Sequence, residues 1–219
     1  MIKNPSGFIR DNTKLLTPPL VPEIKLHLAE ESLPIWLKTE EELGEINVPP
    51  PFWAFAWAGG QALARYLLDN AALVAGKTIL DLGCGSGLTA IAPMVAGARS
   101  ALAADIDLLA LVATKLNAEA NGVMVETTSE DLLAHAPKPF EVTLVGDLFY
   151  ERAMSDAVLA YIEAAAKGGS LVLIGDPQRN YFPRDRFTKV AEYNVPVTRE
   201  LEDNEIKRTA VWRLDAWSP

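Results

Sequence analysis

One cysteine, two histidines and no long apolar run set the first limits on a chain of 219 residues. A single cysteine, Cys84, cannot close an internal disulfide, so nothing asks for an oxidising compartment. His27 and His135 stand far apart with no ligand spacing around either, which argues against a metal site. No window of about 18 consecutive apolar residues occurs, as a membrane-crossing helix would need. The richest stretch, 53–68, is broken by Gly59, Gly60, Gln61 and Arg65. The first residues lack the apolar segment of a secretory signal, so a soluble cytoplasmic protein is expected. Positive charge is also scarce, with 20 Lys and Arg against 29 Asp and Glu for a net charge of −9. That balance repels phosphate backbones and disfavours a nucleic-acid ligand, whereas exposed lysines on a partner would be attracted.

The residues that remain are those of a globular protein, 49% hydrophobic and 22% charged. The length suits one α/β domain with a modest addition, and the expected organisation is an accessory segment over 1–56 followed by the main domain over 57–219. The first segment has prolines at 18, 19 and 22 and again at 49–51. Between them Ile24, Leu26 and Leu28 alternate with polar residues as in a short half-buried strand. Residues 39–42, Thr-Glu-Glu-Glu, match a capping box that opens an acidic helix ending near Gly44.

From Trp57 onward the pattern is regular. Leu63, Leu67 and Leu68 make a helical face. Strands are then expected at 78–82, 100–105, 123–127, 140–146 and 170–175, with helices at 87–96, 108–121 and 155–167 between them. Short apolar runs alternating with helices signify a mostly parallel sheet covered on both faces. Two last strands, near 188–193 and 207–214, follow without a helix, which predicts an antiparallel C-terminal hairpin in a seven-stranded Rossmann-like sheet. Pro93 should kink its helix.

Residues 78–87, Thr-Ile-Leu-Asp-Leu-Gly-Cys-Gly-Ser-Gly, are the most informative. Gly83, Gly85 and Gly87 follow an apolar strand and open a helix, where backbone turns tightly and approaches a ligand. Asp81, two residues before the first glycine, can face the ammonium of a bound amino acid, but would repel a pyrophosphate. Asp105 ends the next strand, where a carboxylate can accept hydrogen bonds from ribose hydroxyls. Asp107 competes for that role but also suits the N-cap of the following helix. An adenosine joined to an amino acid satisfies both carboxylates, and a nicotinamide dinucleotide satisfies only Asp105.

The run 81–87 resembles the first motif of the seven-stranded (class I) S-adenosylmethionine-dependent methyltransferases. That resemblance implies S-adenosylmethionine as cofactor and places Asp131, in the loop after the third strand, near adenine; an N-cap before Leu132 explains Asp131 as well. The fourth strand ends Asp147-Leu-Phe-Tyr150, a spacing similar to the post-strand motif of protein-lysine methyltransferases. Together with residues 50–60, Pro-Pro-Phe-Trp-Ala-Phe-Ala-Trp-Ala-Gly-Gly, it resembles the family that methylates lysines of the electron transfer flavoprotein β subunit. The resemblance implies a protein substrate with exposed lysines, with Asp147 and Tyr150 at the reacting amine. Asp147 would guide and orient the amine, and Tyr150 would shape the channel or position the amine. Trp53, Phe55 and Trp57 can wall the site through cation–π contact or simply pack in the core. Another protein, such as a ribosomal one, or a small amine are the competing acceptors. The chain is expected to act as a monomer.

Overall fold

Most apolar runs among the described residues become a strand or one face of a helix. The computed structural model describes residues 2–30, 50–196 and 206–214, so the acidic helix expected near 39–44 lies outside the described residues. The elements are α1 (Pro5–Asp11), β1 (Lys14–Leu16), β2 (Leu26–Leu28), α2 (Ala58–Asp69), β3 (Thr78–Leu82), α3 (Leu88–Val95), β4 (Ser100–Ala104) and α4 (Leu108–Ala120), followed by β5 (Glu126–Thr128), β6 (Val142–Gly146), α5 (Arg152–Lys167), β7 (Leu171–Asp176), β8 (Thr188–Pro196) and β9 (Ile206–Leu214).

Strands β3 to β9 form one seven-stranded sheet in the order β5-β4-β3-β6-β7-β9-β8. All neighbours are parallel up to β7, and β9 pairs antiparallel with both β7 and β8. The expected C-terminal hairpin is therefore present, with its second strand inserted next to β7. Period-two alternation divides the core between the two faces. Ile79 packs with Leu63 and Leu67 of α2 and Leu111 of α4. Leu80 and Leu82 pack instead with Val158, Tyr161 and Ile162 of α5.

The N-terminal residues lie on the first of these faces. Val21, Ile24, Leu26 and Leu28 join Ala64 of α2 and Leu88 and Ile91 of α3, while Ile9 and Trp53 join Leu109 and Ala113 of α4. Two side chains of α4 complete the join: Asn117 accepts the His27 backbone N–H at 2.7 Å and Asn121 that of Lys25 at 2.9 Å. Helix α1 was not expected. Asn4 caps it by accepting the Gly7 N–H at 3.0 Å and Pro5 opens it, a pairing that pre-forms a first turn. Strand β5 begins three residues later than expected and α5 three residues earlier. Helix α3 ends two residues past Pro93, whose ring nitrogen cannot donate to the preceding turn. Among the described residues no helix is long and apolar enough to cross a membrane.

Candidate active site

The chain runs outward from β3 to β4 and β5 on one side, then returns to place β6 and β7 on the other. The loops after β3 and β6 therefore leave in opposite directions and open a crevice at the carboxyl ends of the strands. A cavity of about 800 Å³ occupies that crevice. Of the residues expected at the site, Trp57, Gly83, Gly85, Asp105, Asp131, Asp147 and Tyr150 line it. Asp81 and Gly87 are not part of its wall.

The glycine turn after β3 takes positive φ at Gly83, Gly85 and Gly87. At Gly85 (φ +49°) a β-carbon would meet nothing closer than 3.9 Å, so its backbone faces open space. The Asp105 carboxylate stitches this turn to the end of β4: Oδ2 accepts the Gly85 N–H at 2.9 Å and Oδ1 accepts that of Asp107 at 2.9 Å. Burial holds the Asp105 carboxyl above the ordinary carboxylate range, opposed by those same N–H groups. Asp107 also borders the cavity, and it caps α4 by accepting the Leu109 N–H at 2.8 Å. Asp131 lines the cavity and has the anticipated capping role, accepting the Leu133 N–H at 3.1 Å at the start of a 3₁₀ turn over Leu132–Ala134.

Asp81 sits behind the turn, fully buried. Its Oδ1 accepts the Thr89 hydroxyl of α3 at 2.7 Å, and its Oδ2 has no hydrogen-bond partner. Burial pushes the carboxyl up to about 7. Cys84 is buried beside Thr114 (3.4 Å), and burial raises its thiol, the reverse of an activated nucleophile.

Across the crevice, Asp147 follows β6 with φ +61°. A non-glycine residue held there is uncommon and points to a constrained position. The constraints are visible. Its backbone N–H donates to the Gly175 carbonyl at 3.0 Å. Its Oδ2 accepts the Gly60 N–H at 2.8 Å, in the first turn of α2. The N-cap residue of α2, Trp57, has no side-chain capping bond, so Asp147 caps this helix from across the sheet. The other oxygen, Oδ1, accepts Nη2 of Arg179 at 2.7 Å and its Nε at 3.2 Å. Burial raises the Asp147 carboxyl, with the Arg179 charge the first influence opposing it.

Arg179 lines the cavity and was not singled out in the sequence. Its guanidinium lies 5.5 Å from the centroid of the Trp57 ring, a cation–π distance. Its backbone N–H donates to Oδ1 of Asp176 at 2.7 Å. Asp176 ends β7 fully buried, its Oδ2 unpartnered and its carboxyl pushed up to about 7, first by burial and then by the Asp147 charge. Tyr150 stands at the mouth, 43% exposed, with its ring 6.1 Å from that of Phe52, which in turn lies 6.0 Å from Trp57. Trp53 is buried in the core and also forms part of the cavity wall. Phe55 packs edge-on against Trp57 at 5.9 Å and does not line this cavity.

A seven-stranded sheet of this order, with a glycine turn at the switch point and a carboxylate at the end of the adjacent strand, defines a class I S-adenosylmethionine-dependent methyltransferase fold. The model for the ribosomal protein L11 methyltransferase (PrmA) family matches residues 62–165. Among solved structures, a ribosomal protein L11 methylase from Lactobacillus delbrueckii subsp. bulgaricus shares the fold (TM-score 0.50, 22% identity, 71% of this chain and 78% of that one). So does magnesium protoporphyrin IX methyltransferase from Synechocystis PCC 6803 (TM-score 0.52, 18% identity, 70% and 77%). Likeness in sequence runs much further. The electron transfer flavoprotein beta subunit lysine methyltransferase of Danio rerio is 37% identical over 98% of this chain and 83% of its own length. That of Mus musculus is 36% identical over 94% and 82%. The chain belongs to the electron transfer flavoprotein beta subunit lysine methyltransferase family.

Proposed function

We propose that this enzyme transfers methyl groups from S-adenosylmethionine to lysine side chains of the electron transfer flavoprotein β subunit. The observation that carries the substrate is the 37% identity over nearly the whole chain to a relative named for that activity, N-terminal segment included. The chemistry of the cavity supports it. Asp105, Asp107, Asp131, Asp147 and Glu151 line it, a wall suited to a cationic cofactor and a cationic side chain. The residues fit the cofactor: Gly83 and Gly85 offer backbone that a side chain would otherwise cover, Asp105 offers a carboxylate to ribose hydroxyls, and Asp131 and Trp57 border the remaining space. Asp81 would act from behind the turn, its unpartnered oxygen favouring positive charge nearby.

When bound, S-adenosylmethionine supplies a methyl group on a sulfonium, open to in-line displacement by an amine. The residues of the chain have to align that amine and keep water away from it. A lysine ammonium, with a pKa of about 10.4 in water, must lose its proton first. Asp147 receives the side chain and orients it after proton loss to solvent, and Tyr150 and Phe52 form the mouth through which it enters.

The match of the ribosomal L11 family model to residues 62–165 favours one second reading, methylation of a ribosomal protein. Tritiated S-adenosylmethionine with purified flavoprotein β subunit, and in parallel with cell lysate, separates the two. The expected result is label on lysines of the β subunit; label confined to another protein would overturn the substrate assignment.

A further inference from the structure

The seat at Asp147 is already filled by a cation. Its Oδ2 is committed to the Gly60 N–H and its backbone is pinned to Gly175, so Oδ1 is the oxygen available to an incoming group. Arg179 places two donors on that oxygen, at 2.7 and 3.2 Å, with its guanidinium 5.5 Å from the Trp57 ring centroid. A carboxylate oxygen beside an aromatic ring is the environment that holds an ammonium or a methylated ammonium. With two donors present, Oδ1 has no capacity for a third strong bond.

We propose that the Arg179 side chain is a built-in stand-in for the substrate lysine, which must displace it from Asp147 and Trp57 to react. The proposal rests on the lysine-methylation reading above. Arg179 is suited to yield, because its side chain is 18% exposed and borders the cavity, while its backbone stays tied to Asp176. Displacement therefore moves the side chain and leaves the backbone in place. Among the described residues, the charged groups that line the cavity besides Asp147 and Arg179 are Asp105, Asp107, Glu130, Asp131 and Glu151, and Asp176 lies beneath the Arg179 backbone, all of them acidic. Burial raises the Asp147 carboxyl, and the Arg179 charge opposes that rise.

The arrangement also sets specificity. A free amine has to compete with a tethered guanidinium using only its own contacts, whereas a lysine carried by a docked protein brings binding energy from the rest of the interface. Arg179 thus selects against free amines and short peptides.

The test is a calorimetric titration of the S-adenosylhomocysteine-saturated protein with n-butylammonium, a lysine side-chain mimic, at a pH above 8. Arg179→Ala is expected to bind it at least ~10-fold more tightly than the parent, with Arg179→Lys close to the parent. In turnover assays the same Arg179→Ala enzyme should show a lower KM for a lysine peptide. Arg179→Gln, which keeps length and hydrogen-bonding capacity but not charge, serves if the alanine variant fails to fold. Equal or weaker butylammonium binding by the neutral variants, or a collapse of kcat with unaltered KM, would overturn the proposal and make Arg179 a support for Asp147. If no variant methylates any lysine, the lysine reading fails. The butylammonium comparison still decides the role of Arg179 in that case.

Discussion

Methyl transfer by an Asp147→Asn enzyme is expected to fall by at least ~100-fold, while affinity for S-adenosylhomocysteine stays within about threefold. Asparagine is the informative replacement. It tolerates the positive φ at this position and can still accept the Gly60 N–H, so the α2 cap survives. It lacks the charge needed to attract a lysine ammonium and holds Arg179 less firmly. Asp147→Ala should lose as much turnover and also stability, because it leaves the first turn of α2 uncapped and Arg179 without its carboxylate. Losing the cap alone costs about 1 kcal/mol, and breaking a buried ion pair adds about 3 kcal/mol. Thermal melting of the two variants beside the parent separates the chemical from the structural loss. Near-normal turnover by Asp147→Asn would remove Asp147 from the reaction.

Gly59→Ala should be among the most damaging single-methyl changes in the fold. A β-carbon there would lie 2.2 Å from the Gly175 carbonyl oxygen and 2.5 Å from Oδ2 of Asp147. Helix α2 crosses β7 at this point with backbone against backbone, so neither partner can swing away. The crossing carries both the α2 cap and the Gly175 carbonyl that pins Asp147. We expect a loss of about 3 kcal/mol and, for a chain of this size, a melting temperature lower by roughly 6–12 °C, with activity lost in proportion to the displaced Asp147. The neighbouring Gly60→Ala is the control, since a β-carbon there meets nothing within 4 Å. It should melt within about 2 °C of the parent. Similar melting of the two variants would mean that the close crossing is not a constraint.

Sequence reading reached the parts of the site that depend on local order. The strand, glycine turn and helix over 78–95 are contiguous, and Asp105 meets Gly85 because β3 and β4 are paired neighbours. Asp107 and Asp131 sit immediately before the turns they cap. What escaped depends on contacts between distant residues. Arg179 reaches Asp147 over 32 positions of sequence, through the pairing of β6 with β7, and no local pattern marks it. The Asp147 cap acts on a helix that begins almost 90 residues earlier. The burial of Asp81 was within reach: two residues from Ile79 on the same strand, it must share that face, and α3 covers it with Thr89. Helix α1 carries its own signal in Asn4-Pro5, but a seven-residue helix barely shows an apolar period.

Every chemical assignment here depends on where the sulfur nucleoside lies. A crystal structure of the protein with S-adenosylhomocysteine tests that directly. It should show the ligand along Gly83 and Gly85, its ribose hydroxyls on Asp105 and its sulfur facing Asp147. A ligand bound outside this crevice, or a ribose that leaves Asp105 untouched, would contradict the account.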